Sequence, residues 1–492
     1  MRHNMSGFPN IIVIMTDQQK ATASHLYGNT FCETPAMARL AEDGVLFEHA
    51  FTPHPLCVPA RISLWTAQFP HAHGGRRNET WMSPETNHAF KLWQEAGYHT
   101  GLIGKNHCFQ PADLAFFDTW CEIGHRGLPD DPGTKGLAWF RPLENIHAAH
   151  TVRRNMPSQN PYFDYASSDF PLKDYSTGLV AGQTAHFLEQ HQHEPFALWV
   201  SFPDPHAPYE APEEYVAMFP PDKIELPPWR DNEFDDHAPE RNRVVHQILG
   251  FDNGDIPLAQ VYGVLAAYYG MVRFIDDGLG QILDALERLG LREKTIVVFC
   301  SDHGDFAGEH QMQGKGGVFY DCLTRVPLIV SWPGHIPAGQ RDGSMVNLID
   351  IVPTLFHLQG LNIPHDMQGD PLPTITKATP RPVAFSEYGA GGPAFHLNNL
   401  AQLSQPYGRK AIMDSLQWRE AEGRRKMVRT QQWKYVHDPM GDRDELYDLV
   451  NDSWELKNVI DDPQHTDVLT DLQLRLADWS IQTEDSKAVP LP

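Results

Sequence analysis

Apolar residues in this 492-residue chain fall into two kinds of run, and their order implies an architecture. Short stretches dense in β-branched and aromatic residues lie at 10–16, 100–103, 196–202, 295–300 and 326–331, and they read as strands buried on both faces. Between them come segments with helical spacing. Residues 34–43 put Met37, Leu40 and Ala41 on one face, 90–96 make a short helix, and 177–190 suggest another. The clearest helix spans 262–289, where Tyr269, Val272, Ile275, Leu279, Ile282, Leu283 and Leu286 recur at helical intervals until Gly290 stops it. Strands alternating with helices predict an α/β fold, a mostly parallel sheet sandwiched by helices.

Ligands collect beyond the carboxyl ends of the strands in such sheets. Asp17, Lys105, the run Asp204-Pro205-His206 and the pair Asp302-His303 each follow a predicted strand directly, so one edge of the sheet is expected to carry a site. Residues 126–165 and 220–257 are rich in Pro, Asp, Asn and Gly and read as long surface loops that cover or shape a pocket. The pattern changes after residue 372. Short strands at 383–388, 410–413, 426–430, 433–437 and 445–448, then an amphipathic helix at 467–483, divide the chain into an α/β domain over 1–372 and a smaller C-terminal α+β subdomain over 373–492 with antiparallel strands and a closing helix.

Charge narrows the partners. A net charge of −24 lacks the basic footprint that nucleic acid requires, and it repels polyanionic polysaccharides at long range, so a small substrate is favoured. Six cysteines without paired spacing do not make a disulfide scaffold and suit a reducing compartment. The apolar run 11–15 is too short for a signal h-region or a membrane span, which leads to the expectation of a cytoplasmic protein with no membrane partner. A homo-oligomer stays open.

The most specific chemical signal is the run His54-Pro55-Leu56-Cys57-Val58-Pro59-Ala60-Arg61, with its C-x-P-x-R spacing. Its bland reading is a buried structural thiol. Asp17-Gln18 and Asp302-His303 offer two carboxylates, an amide oxygen and an imidazole that could converge on a divalent cation; a structural aspartate capping the next helix is the alternative for each.

The C-x-P-x-R run resembles the site at which type I sulfatases have a cysteine oxidised to formylglycine. Ser63-Leu64-Trp65-Thr66-Ala67-Gln68-Phe69-Pro70-His71-Ala72-His73-Gly74 continues the likeness, with Ala67 where the family usually has glycine. Arg325-Val326-Pro327-Leu328-Ile329, Asp350-Ile351-Val352-Pro353-Thr354-Leu355 and Glu445-Leu446-Tyr447-Asp448-Leu449 extend it over nearly the whole chain as scaffold. The resemblance implies an alkaline-phosphatase-like fold and a metal held by Asp17, Gln18, Asp302 and His303, calcium first and manganese second. Gln18 departs from the commoner aspartate and His303 from the asparagine of some members, a combination similar to the branch of choline sulfatases and phosphonate monoester hydrolases.

The resemblance also implies roles. Cys57 becomes formylglycine through a formylglycine-generating enzyme; one hydroxyl of the hydrated aldehyde attacks sulfur, and the second loses its proton so that the carbonyl re-forms and sulfate leaves. Arg61 is expected to hold and orient the diol, Lys105 and Lys315 to bind the sulfate, His107 to assist the second hydroxyl, and His206 to protonate the departing alcohol. The implied reaction is hydrolysis of a small anionic sulfate monoester. Two alternatives stand beside it: phosphonate monoester or phosphodiester hydrolysis on the same residues, and a non-catalytic anion-binding relative in which Cys57 stays a thiol. A phosphatase with a serine or threonine nucleophile fits less well, since cysteine occupies that position.

Overall fold

The computed structural model describes residues 8–124, 127–128, 134–136, 143–156, 162–235, 237–252, 256–403, 415 and 418–484. A ten-stranded sheet organises the larger part of the chain. Its strands are β1 (Asn10–Thr16), β2 (Gly44–Phe51), β3 (His99–Gly104), β4 (Thr119–Glu122), β5 (Thr134–Lys135), β6 (Phe196–Ser201), β7 (Thr295–Ser301), β8 (Arg325–Val326), β9 (Leu328–Ser331) and β10 (Gln340–Asn347). They run in the order β8-β2-β9-β7-β1-β6-β3-β4-β5, with β10 joined to β2. The five strands β7, β1, β6, β3 and β4 are mutually parallel, and Ile14 lies opposite both Val200 and Phe299.

Period-two alternation along β1 assigns its side chains to two cores. Ile11, Val13 and Met15 face one way, packing with Trp65, Phe90, Trp93 and Leu355 of the helices Cys57–Thr66, Ala89–Glu95 and Ile351–Gln359. Ile12 and Ile14 face the other way, against Met37, Leu179, Ile275, Leu279 and Ile282 of the helices Pro35–Glu42, Ser176–His191 and Leu258–Arg288. Each such fully buried aliphatic side chain contributes roughly 1.5–3 kcal/mol, and β1 is fully covered along its length. The helix Leu258–Arg288 is long and apolar enough to cross a membrane, but its apolar face is buried in this core.

The structure corrects the expected elements in four places. The strand expected at 326–331 is broken at Pro327, which has no N–H for the ladder, and β9 runs antiparallel to β7 and β2. β2 escaped the sequence reading because Glu48 and His49, the two part-exposed positions of an otherwise buried strand, interrupt its apolar pattern. The two expected loops contain helices, Leu143–Arg154 and Glu240–Leu249. In the second, the charged residues that obscure the pattern are used inside: Arg241 pairs with Glu422, while Val244, Val245, Ile248 and Leu249 pack against Phe306, Met312 and Val318.

The C-terminal strands Ala384–Tyr388, Arg425–Arg429, Trp433–His437 and Glu445–Asp448 form an antiparallel sheet in chain order. The strand expected at 410–413 lies outside the described residues. The closing helix Thr466–Glu484 lays Leu472, Leu476 and Trp479 on this sheet and reaches Phe69 and Ile349 of the larger part.

Candidate active site

Four neighbouring parallel strands, β7, β1, β6 and β3, end on the same edge of the sheet, and each is followed at once by one of the polar groups singled out in the sequence. β1 delivers Asp17 and Gln18, β7 delivers Asp302 and His303, β3 delivers Lys105 and His107, and β6 leads through Ser201 to His206. The strand ends stay tied past the last ladder pairs: the Asp17 N–H donates to Asp204 O (3.1 Å), and Asp302 N–H to Thr16 O (3.2 Å). Gly104 precedes Lys105 at φ 108°, where a Cβ would lie 1.9 Å from Ser201 O, so only glycine lets β3 approach β6 this closely. Gln18 (φ 71°) and His107 (φ 61°) adopt left-handed backbone, which is uncommon away from glycine and concentrates at functional sites.

Cys57 is the first residue of a helix whose ten residues are all buried. Its thiol is the meeting point of the set. Lys315 Nζ lies 3.0 Å from Sγ, His303 Nε2 3.2 Å and Asp17 Oδ1 3.6 Å, and His107 and His206 lie close enough to interact with it. Lys315 comes from a separate hairpin, Phe306–Ala307 paired with Gln313–Gly314. Arg61, one helical turn beyond Cys57, faces the strand ends. Its Nε donates to Asp302 Oδ2 (2.9 Å), Nη2 to Asp17 Oδ2 (3.0 Å), and Nη1 to Ser201 Oγ (2.8 Å) and Lys105 O (3.0 Å). Four of its five N–H donors are engaged in this way, two of them by the carboxylates it fixes; the sequence reading had it holding the nucleophile. Lys105 also pairs with Asp17.

Electrostatics follow from this crowding. Burial pushes the Cys57 thiol up, but Lys105, Lys315 and His303 outweigh it and hold the thiol well below its ordinary value; a helix N-terminus acts in the same direction. Burial also opposes ionisation of Asp17, and Cys57 adds to that, yet Lys105, His206 and Arg61 keep its carboxyl far below the usual carboxylate range. Burial works against the charge on Lys315, but Cys57 and Asp17 raise it. His206 and His107 are driven the other way, first by burial and then by Lys315 and Lys105 respectively, which favours neutral imidazoles. The other cysteines are ordinary by comparison: burial drives Cys108 and Cys300 upward.

The donor set suits a divalent cation. Ligand atoms of Asp17, Cys57, Asp302 and His303 all lie within 4.8 Å of one another. His303 Nδ1–H donates to Gly304 O (2.8 Å), so Nε2 turns its lone pair toward the cluster, as a ligating histidine requires. Gln18 is fully buried beside them, and neither atom of its amide has a hydrogen-bond partner. A buried amide oxygen left bare is costly unless something else binds it.

Three residues outside the sequence reading shape the site. Ser201 accepts from Arg61, and Asn78 Oδ1 accepts the Val58 N–H at 3.1 Å beside the start of the Cys57 helix. Arg153, from the helix found in the first expected loop, donates to Asp204 Oδ1 (2.6 Å), His206 O (2.8 Å) and Pro208 O (2.9 Å), which sets the course of the His206 segment. Asp204 is thereby tied off, with Thr177 as its second partner at 2.7 Å. A single serine or arginine carries no local signal of this kind; the position of Ser201 at the end of a predicted strand was the one hint.

Comparison with known proteins places the arrangement among relatives. A model of the family "Sulfatase" matches residues 9–361. An arylsulfatase of Clostridium perfringens (strain 13 / Type A) is 28% identical over 379 residues, which is 73% of this chain and 77% of that protein. A choline-sulfatase of Rhizobium meliloti (strain 1021) is 26% identical over 497 residues, 98% of this chain and 89% of the relative. Among solved structures, a phosphonate monoester hydrolase of Agrobacterium radiobacter superposes with a TM-score of 0.76 at 24% identity, covering 96% of each chain, and shares the fold.

Proposed function

The chain belongs to the sulfatase family and is a sulfuric ester hydrolase, and from that premise we propose that it cleaves a small sulfate monoester with a nucleophile made from Cys57. One observation carries this reading: the Cys57 thiol is the point on which Lys315, His303, Asp17, His107 and His206 converge. Oxidation of Cys57 by a formylglycine-generating enzyme would supply, once hydrated, two hydroxyls on one carbon, one to attack and one to expel sulfate.

Lys315 and Lys105 hold the sulfate oxygens and supply the positive field that a developing oxyanion needs. Burial and Lys315 hold the pKa of His206 down, so its protonated form is the acid that passes a proton to the leaving alcohol and returns to neutral imidazole, and His107 takes the proton that must leave the second hydroxyl. Arg61 acts as a positioning residue, locking Asp17 and Asp302 in place. Asp17, Gln18, Asp302 and His303 hold one divalent cation, Ca2+ first and Mn2+ second; three oxygen donors suit calcium, and the imidazole is the donor that favours manganese. When bound, that ion supplies Lewis acidity and lowers the pKa of a coordinated hydroxyl. All six cysteines are unpaired and buried, which suits a reducing compartment such as the cytoplasm.

The test is a parallel rate comparison on an aryl sulfate, a phosphonate monoester and a phosphodiester, after chelation and add-back of Ca2+ or Mn2+. The reading expects the sulfate to have the highest kcat/KM. A higher value on either phosphorus ester would transfer the assignment to phosphoryl ester hydrolysis on the same residues.

A further inference from the structure

We propose that His99, His191 and Glu194 form a second metal site, for a transition-metal dication, at the end of the sheet opposite the Cys57 cluster. His99 opens β3, His191 ends the helix Ser176–His191, and Glu194 lies in the turn leading into β6. Their donor atoms all fall within 4.8 Å of one another. Both imidazoles point Nδ1 at the same carboxylate oxygen: Glu194 Oε1 is 2.7 Å from His191 Nδ1 and 3.7 Å from His99 Nδ1. The two rings stack with centroids 3.9 Å apart.

His99 has a partner for the tautomer a ligand needs. Its Nε2 lies 2.9 Å from Thr119 Oγ1, and when that N–H donates to the hydroxyl the Nδ1 lone pair is free. A helix-terminal His191–Glu194 pair would be complete by itself. The second imidazole, stacked on the first and aimed at the same oxygen, is what capping does not require. The side chains of His99 and His191 are 19% and 14% exposed and that of Glu194 is 51% exposed, so the histidines form a floor and the carboxylate side stays open to water.

Two imidazole nitrogens and one carboxylate oxygen with an open position suit Zn2+, Co2+ or Ni2+ rather than Ca2+. Binding replaces the proton that His191 Nδ1 shares with Glu194. The ion then joins the helix end, the turn and the start of β3, which makes it a staple remote from ester chemistry.

The test uses the full chain carrying Asp302→Ala, which loses metal at the Cys57 site, stripped by chelation and titrated with Co2+ and Zn2+. This protein is expected to give the visible bands of four-coordinate Co2+, to lose them on Zn2+ addition, and to gain at least about 2 °C in Tm with Zn2+. Adding His99→Gln/His191→Gln should abolish both signals, and the same pair in the otherwise wild-type chain, with Ca2+ restored, should turn over an aryl sulfate at the wild-type rate. Glu194→Gln, a change at a half-exposed position that leaves the fold alone, should weaken Co2+ binding by about tenfold or more. Bands and a Tm rise that persist after both histidines are replaced, or Co2+ binding that Glu194→Gln in the same Asp302→Ala chain leaves unchanged, would overturn the proposal.

Discussion

Lys434 is wholly buried and Lys315 nearly so, yet the two ammonium groups keep different company. Lys434 Nζ lies 2.5 Å from both Asp321 Oδ1 and Glu455 Oε1 and donates to Phe319 O at 2.7 Å. Arg429 closes the set on Asp321 at 3.0 Å, and the Asp321 N–H donates to Glu455 Oε2 at 2.6 Å. Two cations and two carboxylates there satisfy each other, and what they join is the larger sheet's edge to the C-terminal sheet. Lys315 instead faces a thiol and an imidazole, beside a bare amide at Gln18 and two residues in left-handed backbone. Buried charge that saturates itself ties the fold together. Buried charge with spare capacity aimed at one point has a ligand to meet, and its cost is carried by the surrounding fold.

The largest expected effect follows from breaking the unsaturated set. Asp302→Ala removes a proposed metal ligand and one anchor of Arg61, and kcat/KM should fall by at least about 10⁴-fold, with metal binding lost at the Cys57 site. Activity and bound metal measured after chelation and add-back check it; near wild-type turnover would place the site elsewhere. In the saturated set, Lys434→Met leaves Glu455 buried without its cation and Asp321 with Arg429 alone, at a cost of about 3–5 kcal/mol in stability. Denaturant unfolding should show that loss while kcat/KM of the folded protein is unchanged.

Acid sharpens the same contrast. Burial opposes the charge on Asp321, but Arg429 and Lys434 hold its carboxyl well below the usual range. A carboxyl whose folded pKa is depressed contributes its full stability above the unfolded value, and that contribution drains away as the pH falls toward the folded one. Wild type should therefore begin losing stability below about pH 4, and Lys434→Met should lose less over that range, because Arg429 alone then holds its Asp321 down.

His206→Ala separates chemistry from packing within the site. If His206 protonates the leaving group, the loss on an alkyl sulfate should exceed the loss on a nitrophenyl sulfate by about two orders of magnitude. Equal losses would reject the acid role. The smallest effect belongs to Ser201→Ala. It removes one of the two acceptors for Arg61 Nη1, worth about 1 kcal/mol, so kcat/KM should drop by about 3- to 10-fold with metal stoichiometry intact.

How much of this was legible in the sequence depended on where each residue's partners lie. The run from Asn10 to Thr16 is buried on both sides, so its apolar character alone defines a strand, and the expected 10–16 coincides with it. The polar groups converged because each one immediately follows a strand and those four strands are neighbours; position in the chain became position on the edge. The helix Glu240–Leu249 was hidden because Arg241 is matched by Glu422, far along the chain, and a buried charge reads locally as a surface one. Arg153 was hidden for the same reason, its carboxylate and carbonyl partners lying in the His206 segment. For Arg61 the sequence shows the spacing from Cys57 but not that Asp17 and Asp302 each accept one of its hydrogen bonds.

The central claim is that Cys57 is the precursor of the nucleophile. It is tested most directly by mass spectrometry of the peptide containing Cys57 to Arg61, taken from active protein made together with a formylglycine-generating enzyme. The account predicts an aldehyde in place of the thiol, in a fraction that scales with specific activity across preparations. Fully active protein in which Cys57 is entirely alkylatable would contradict it.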